Sequence, residues 1–362
     1  MSTPSPKSPF RSCKAALHFC ALRSESGRFG DLMRIFIPGG AGYVGSRLVP
    51  ALLELGHDVA VYDLYLYGEA VFSAHRDNPH LTEIKGDVRD LARMKQALQG
   101  CHTVIHLACI SNDPSFELNP SLGKSINLDC FEPLVVMAKA QGVRRFIYAS
   151  SSSVYGVKES PDVTEEMALE PLTDYSRFKA ECEALLFRHG APDFTTVVIR
   201  PATVCGYAPR QRLDVVVNIL TNLAYHTGVV KVMGGDQMRP NIHIEDMVRA
   251  YLLLLAAPAE KVHRQTFNAG YHNHTVREIG EMVARIVGKR KPVQIMTEPT
   301  VDKRSYHISS QKIERVLGFV PQYSIEDAIE GLASAFEAGL LPNSLSDERY
   351  FNIRTMKKAQ LT

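Results

Sequence analysis

The stretch Ile35-Phe36-Ile37-Pro38-Gly39-Gly40-Ala41-Gly42-Tyr43-Val44-Gly45-Ser46 limits what this chain can fold into more than any other. A short apolar run breaks into glycines and re-emerges as Arg47-Leu48-Val49-Pro50-Ala51-Leu52-Leu53-Glu54-Leu55, apolar at helical spacing. The order is strand, glycine turn, helix. Glycine suits such a turn because a Cβ would block the tight bend and keep the backbone from a pyrophosphate, while the helix start offers free N–H groups and a positive dipole end. Gly40, Gly42 and Gly45 satisfy G-x-G-x-x-G, and Gly39, Gly42 and Gly45 satisfy a wider G-x-x-G-x-x-G spacing. After the helix, Gly56-His57-Asp58 turns the chain into a second apolar run, Val59-Ala60-Val61-Tyr62, which ends on Asp63. An acidic residue about 20 positions past the turn accepts hydrogen bonds from both hydroxyls of an adenine ribose and repels a 2′-phosphate. The pattern therefore points to NAD rather than NADP.

Beyond Asp63 short apolar strands and helices alternate, the sequence form of a parallel sheet covered on both faces. Ile84 closes a third strand into Gly86-Asp87-Val88-Arg89-Asp90. Asp87 there can bind an adenine amino group or cap a helix over 88–100, or do both. Thr103 to Ala108 reads as the fourth strand, with Leu107 and Ala108 at the switch point against the cofactor and His106 a buried, hydrogen-bonded structural histidine. A polar loop over 111–121 leads to a long helix over about 120–141. Phe146-Ile147-Tyr148-Ala149 is a fifth strand, running straight into Ser150-Ser151-Ser152-Ser153.

Residues at the carboxyl end of a central strand face the cofactor crevice. Some way on, Asp174-Tyr175-Ser176-Arg177-Phe178-Lys179 opens a helix over about 174–189 that places Tyr175 and Lys179 on one face. A free tyrosine titrates near about 10, but an adjacent ammonium and an oxidised nicotinamide both favour the phenolate. Such a tyrosine takes a hydroxyl proton near neutral pH while hydride leaves for the cofactor, and a strand-end serine holds the substrate oxygen.

Composition sets outer limits. With 362 residues, 45% hydrophobic and 22% charged, the chain can bury one large or two ordinary cores. A formal net charge of +2, with basic residues scattered, gives no reason to expect nucleic acid or a membrane surface as partner. The 7 cysteines are widely spaced and free of C-x-x-C pairs, which fits a reducing, cytoplasmic setting without a disulfide framework or zinc site. Residues 1 to 32, rich in Ser-Pro pairs and poor in acids, read as a disordered extension ahead of Met33, with an organelle transit peptide as the alternative.

Taken together, Gly39 to Gly45, Asp63, Gly86-Asp87-Val88, His106-Leu107-Ala108, Ser150 to Gly156, Tyr175 with Lys179, and Arg239-Pro240-Asn241-Ile242-His243-Ile244-Glu245-Asp246 resemble the extended short-chain dehydrogenase/reductase family, the nucleotide-sugar epimerases and dehydratases. The likeness covers roughly residues 33 to 340 and implies a Rossmann-type doubly wound parallel sheet with a smaller C-terminal substrate lobe. Carried over position by position, it makes Ser151 the catalytic hydroxyl, Tyr175 the base, and Lys179 its partner and a ribose ligand. It assigns the cofactor to Gly39, Gly42, Tyr43, Val44, Gly45, Asp63, Asp87, Val88, Leu107 and Ala108. The sugar nucleotide falls to Ser151, Ser152, Thr203 and Arg239, whose guanidinium would fork to the diphosphate, with Arg304 either a second such ligand or a solvated charge.

The family's dehydratases place Asp-Glu directly after the catalytic hydroxyl, where this chain has Ser152 and Ser153. The resemblance therefore implies an NAD-dependent 4-epimerase of nucleotide sugars. A one-way dehydrogenase or ketoreductase on the same fold is the alternative, with a dehydratase or a non-catalytic NAD-binding regulator behind it. The expected organisation is a cofactor domain over 33–200, rejoined by 244–271, a substrate lobe over 201–243 and 272–345, and a tail over 346–362. Tyr207, Arg210 and Arg212, in the loop leading into the lobe, either meet an acidic sugar or phosphate or lie exposed. The helices over 120–141 and 174–189 are the expected faces of a homodimer.

Overall fold

In the computed structural model the strands are β1 (Arg34–Pro38), β2 (Asp58–Asp63), β3 (Leu81–Lys85), β4 (Thr103–His106), β5 (Arg145–Ala149), β6 (Thr195–Pro201), β7 (Thr203–Cys205), β8 (Val229–Met233), β9 (Met238–His243), β10 (Gln265–Ala269), β11 (Asn273–Thr275) and β12 (Gln294–Glu298). The structure describes residues 32–111, 113–160, 162–300, 305 and 307–359. The expectation for residues 1 to 32 thus lies outside the described residues except at Leu32, and that for Arg304 lies outside them altogether.

Seven strands form one parallel sheet in the order β10-β6-β5-β4-β1-β2-β3. The order reverses between β1 and β4: the chain winds outward through β2 and β3, then returns to β4 on the other side of β1. A crevice opens outside the carboxyl ends of the strands at such a reversal. The central strands are apolar on both faces because helices cover both. Ile35, Phe36 and Ile37 of β1 and Val104 and Ile105 of β4 are fully buried. At the edge, β3 is half exposed, as its Leu-Thr-Glu-Ile-Lys sequence requires.

A second core lies around β8 and β12, which pair in parallel, and the helices Val216–Thr227, Val276–Val287 and Ile325–Glu337. The helix Val276–Val287 shows why it forms there. Val276, Ile279, Val283, Ile286 and Val287 recur at helical spacing and are all buried, and Thr275 with Glu278 closes a capping box at its start. Strands β11, β9 and β7 make a small sheet in that order. Residues Met33–Thr362 form one compact unit. Among the described residues no helix is long and apolar enough to cross a membrane.

Three local expectations are corrected. The helix over 120–141 is Pro120–Lys124, a π-helical turn Ser125–Asp129 and Phe131–Ala140. The wider turn carries Asn127, whose side chain accepts from Ile110 N at 2.8 Å and donates to Ile110 O at 3.0 Å, pinning the loop after β4. The helix expected over 88–100 is Leu91–Ala97, and Asp90 caps it by accepting from Arg93 N, so Asp87 is not the cap. The tail, which shows no pattern in sequence, carries a helix over Asn352–Ala359.

Candidate active site

The glycine turn sits at the reversal between β1 and β4. Gly39, at φ +79°, lies so close to β4 that a Cβ would stand 2.4 Å from Ala108 N, and a Cβ on Gly45 would stand 2.1 Å from Gly40 O. Gly42 meets only Gly39 O, at 3.1 Å, and faces open space. Gly39, Gly42 and Gly45 line the cavity, so the wider glycine spacing describes the crevice; Gly40 packs against Ile37 and Val61 instead. The helix Gly45–Glu54 begins without a side-chain cap. Ser46 N and Arg47 N already donate to Gly42 O and Val44 O, so an anion here would be met by the N–H groups just ahead of them in the glycine turn.

Asp63 ends β2 with its carboxylate fixed by two backbone donors, Ala41 N to Oδ2 at 3.0 Å and Tyr65 N to Oδ1 at 2.8 Å. Burial pushes its carboxyl above the ordinary carboxylate value, and those two N–H groups oppose the shift. Each oxygen keeps lone-pair capacity for a hydroxyl. The glycine cradle, the uncapped helix start and this carboxylate fit NAD. Tyr43, Val44, Val88, Leu107 and Ala108 also line the cavity, whose volume is about 560 Å³, inside the range of about 300–1,000 Å³ usual for small-molecule sites. Asp87 does not line it: its carboxylate is held by Arg89, which keeps it below the usual carboxylate range.

On the opposite lip, Thr173 caps the helix Asp174–His189 by accepting from Ser176 N, with the Ser176 hydroxyl returning to Thr173 N. That box fixes the first turn and places Tyr175 in the cavity. Lys179, one turn on, is 3% exposed; its Nζ donates to Ala149 O at 2.6 Å and lies 5.9 Å from the centre of the Tyr175 ring. The serine run leaves β5 beside them. Ser151 Oγ accepts from Ser153 N at 3.2 Å and opens a 3-10 turn over Ser152–Tyr155, and Ser151, Ser152 and Ser153 all line the cavity. Beneath the run, Ser150 Oγ donates to Glu183 Oε1, Arg200 donates to both Glu183 oxygens, and Arg200 also donates to Tyr155 OH at 2.7 Å. This buried network holds the serines from below.

His106 is buried as expected, stacked on Tyr148 with ring centres 5.9 Å apart, but its Nδ1 has no hydrogen-bond partner among the described residues. Burial, reinforced by Lys179, lowers its pKa to about 3, so the ring is neutral. Thr203 of β7 and Arg239 of β9, expected at the sugar nucleotide, also line the cavity. Arg210 is buried and Arg212 half-buried in the cavity wall rather than exposed, while Tyr207 packs against a separate cluster around Leu213 and Tyr350. Tyr67, Ser111, Asn352 and Met356 also line the cavity and were not expected. Asn352 and Met356 belong to the last described helix, and nothing in the spacing of their neighbours signals that it folds back over the crevice. Among the described residues no cluster of His, Cys, Asp or Glu could hold a metal.

The family model described as NAD dependent epimerase/dehydratase family matches residues 35–270. A UDP-glucose 4-epimerase from Corynebacterium glutamicum is 26% identical over 328 residues, spanning 85% of this chain and 97% of that protein. A UDP-glucuronic acid decarboxylase 1 from Arabidopsis thaliana is 26% identical over 323 residues, 85% of this chain and 71% of that one. Among solved structures, MoeE5 in complex with UDP-glucuronic acid and NAD superposes with a TM-score of 0.72 at 26% identity, covering 84% of this chain and 99% of the other.

Proposed function

This chain belongs to the NAD dependent epimerase/dehydratase family, with NAD as its cofactor, and on that premise we propose that it is a nucleotide-sugar 4-epimerase working through a transient 4-keto sugar. The observation that carries the reading is one cavity lined by Ser151, Tyr175 and Lys179 together with the glycine turn and Asp63. Bound NAD supplies a hydride acceptor that can give the hydride back. Tyr175 takes the proton of the sugar's C4 hydroxyl, and Lys179, held in place through Ala149 O, favours the phenolate and reaches the ribose. Ser151 donates to the C4 oxygen and aligns it with Tyr175, and Ser152 contacts the sugar. Thr203 and Arg239 hold the rest of the nucleotide sugar, whose keto form turns within the cavity before the proton and hydride return on the other face.

In this reading residues 33–200 with 244–271 carry the cofactor, and 201–243 with 272–345 carry the sugar. Serines 152 and 153, both at the cavity, offer no carboxylate for eliminating water, which supports an epimerase over a dehydratase. The relatives' names point to uridine diphosphate sugars, neutral and acidic. The chain is read as a homodimer through the helices over 120–141 and 174–189, where Val136 is 48% exposed, and as a protein of a reducing compartment, the cytoplasm, because its described cysteines are unpaired. The test is incubation of the purified chain with UDP-hexoses and UDP-hexuronic acids, following the configuration at C4. Interconversion of C4 epimers without net reduction of NAD is expected; stoichiometric NADH without epimer would make the chain a dehydrogenase instead.

A further inference from the structure

Two guanidinium groups line the cavity from one loop, Arg210 buried and Arg212 half-buried, and their surroundings differ. Arg212 Nε lies 2.6 Å from Asp214 Oδ1, and the other oxygen of that carboxylate accepts from Asn352 N at 2.9 Å. Arg210, only 5% exposed, has no carboxylate within ion-pair distance among the described residues. Its Nη2 donates to Asn352 Oδ1 at 2.6 Å, its guanidinium lies 3.6 Å from the centre of the Tyr67 ring, and its buried Nε has no hydrogen-bond partner among the described residues. Burial opposes charge at both groups; Asp214 outweighs it at Arg212, whereas Arg210 is left below the ordinary arginine value. Asp214 and Asp63 act on Arg210 only from beyond contact, and a buried cation with no contacting counter-charge is unfavourable unless something on the open side completes it.

The position of Arg210 says what completes it. Its backbone N donates to Ser46 Oγ at 3.3 Å, and Tyr43 OH donates to Gly206 O at 2.5 Å, so the loop carrying Arg210 lies across the glycine turn and the uncapped start of the helix Gly45–Glu54. The glycine turn and the Arg210 side chain thus line the same cavity. We propose that Arg210 is a ligand of the cofactor's diphosphate, with Asn352 from the last described helix positioning its guanidinium. The 2′-phosphate of an NADP-type nucleotide is a poor match, because the Asp63 carboxylate faces that ribose edge and repels it. The sugar nucleotide's own diphosphate falls to Arg239 across the cavity. The assignment concerns the cofactor alone and stands whichever sugar reaction the chain carries out.

The consequence is that cofactor retention depends on the far end of the chain, whose helix supplies Asn352. Binding of adenosine, ADP, 2′,5′-ADP and UDP to the full chain, measured by calorimetry, tests the proposal. Wild type should bind ADP more tightly than adenosine. Arg210→Gln should lose about 10- to 100-fold in ADP affinity while adenosine and UDP are unchanged, and the NAD carried through purification should fall with it. Asn352→Ala should lose a smaller part of the ADP advantage. Unchanged ADP affinity in Arg210→Gln overturns the proposal, as does an equal loss for adenosine, which would make the guanidinium a brace for the crevice. A loss seen only with 2′,5′-ADP or only with UDP also overturns it, by moving the anion elsewhere. Should Arg210→Gln fail to fold, Arg210→Met, which keeps the apolar stem, puts the same question with the same outcomes.

Discussion

The cavity has two walls built on different principles. Strands β1, β2 and β4 shape the cofactor wall with backbone: glycines too crowded for a methyl group, a strand-end carboxylate held by main-chain N–H groups, and a helix start left uncapped. The wall we assign to the sugar, from β7 and β9, is made of side chains such as Thr203 and Arg239 that reach in from separate elements. A backbone-defined wall tolerates little change and suits a cofactor that never varies. A wall of side chains can be altered one residue at a time without disturbing the sheet, which suits a substrate that differs between relatives.

The contrast can be broken most sharply at Tyr175. Tyr175→Phe removes the proton acceptor while leaving the cofactor wall intact, so epimerisation should fall by about 10²- to 10⁴-fold with NAD content unchanged by mass spectrometry of released small molecules. Loss of NAD along with activity would mean that the two walls are not separable. The next largest effects come from a pair of glycines. Gly45→Ala would drive a methyl group to 2.1 Å from Gly40 O and should cost about 1–3 kcal/mol or more of stability by urea denaturation. Gly42→Ala meets no such clash and should weaken NAD binding with little change in the urea midpoint.

Acid should strain both walls together. His106 in β4 and His243 at the end of β9 are buried with pKa values lowered to about 3 and about 4, in each case mainly by desolvation. Below the free value near 6.5, the unfolded chain takes up protons that the folded chain refuses, so stability falls as pH drops through 6.5 toward those values. Between pH 7 and pH 5 each should remove about 2 kcal/mol, and His106→Phe should flatten the fall in urea midpoint by its share. A midpoint equal at pH 7 and pH 5 would contradict the burial of both rings. Smallest is Thr173→Ala, expected to cost about 1 kcal/mol and to lower turnover more than substrate affinity, since the cap sets only where Tyr175 stands.

How much of this was legible follows from the same division. The glycine turn, Asp63 and the Tyr175–Lys179 pair are local spacings, and local spacing fixes strand ends and helix faces before any tertiary contact forms. What could not be read depends on distant partners. The π-turn at Ser125–Asp129 accompanies the two hydrogen bonds of Asn127 to Ile110, and Asp87 is taken by Arg89 while Asp90 does the capping. Arg210 reads in sequence either as a ligand for an acidic sugar or phosphate or as an exposed charge, and only its hydrogen bond to Asn352, far along the chain, shows where it sits.

Running the reaction in heavy water separates the mechanism from its rivals most directly. With hydride leaving the sugar's C4 carbon and returning to it, the epimeric product formed in D₂O should carry ordinary hydrogen at C4, read by mass spectrometry and proton resonance of the purified sugar nucleotide. Solvent deuterium at C4 of the product would contradict a retained hydride and, with it, the joint use of Tyr175 and bound NAD.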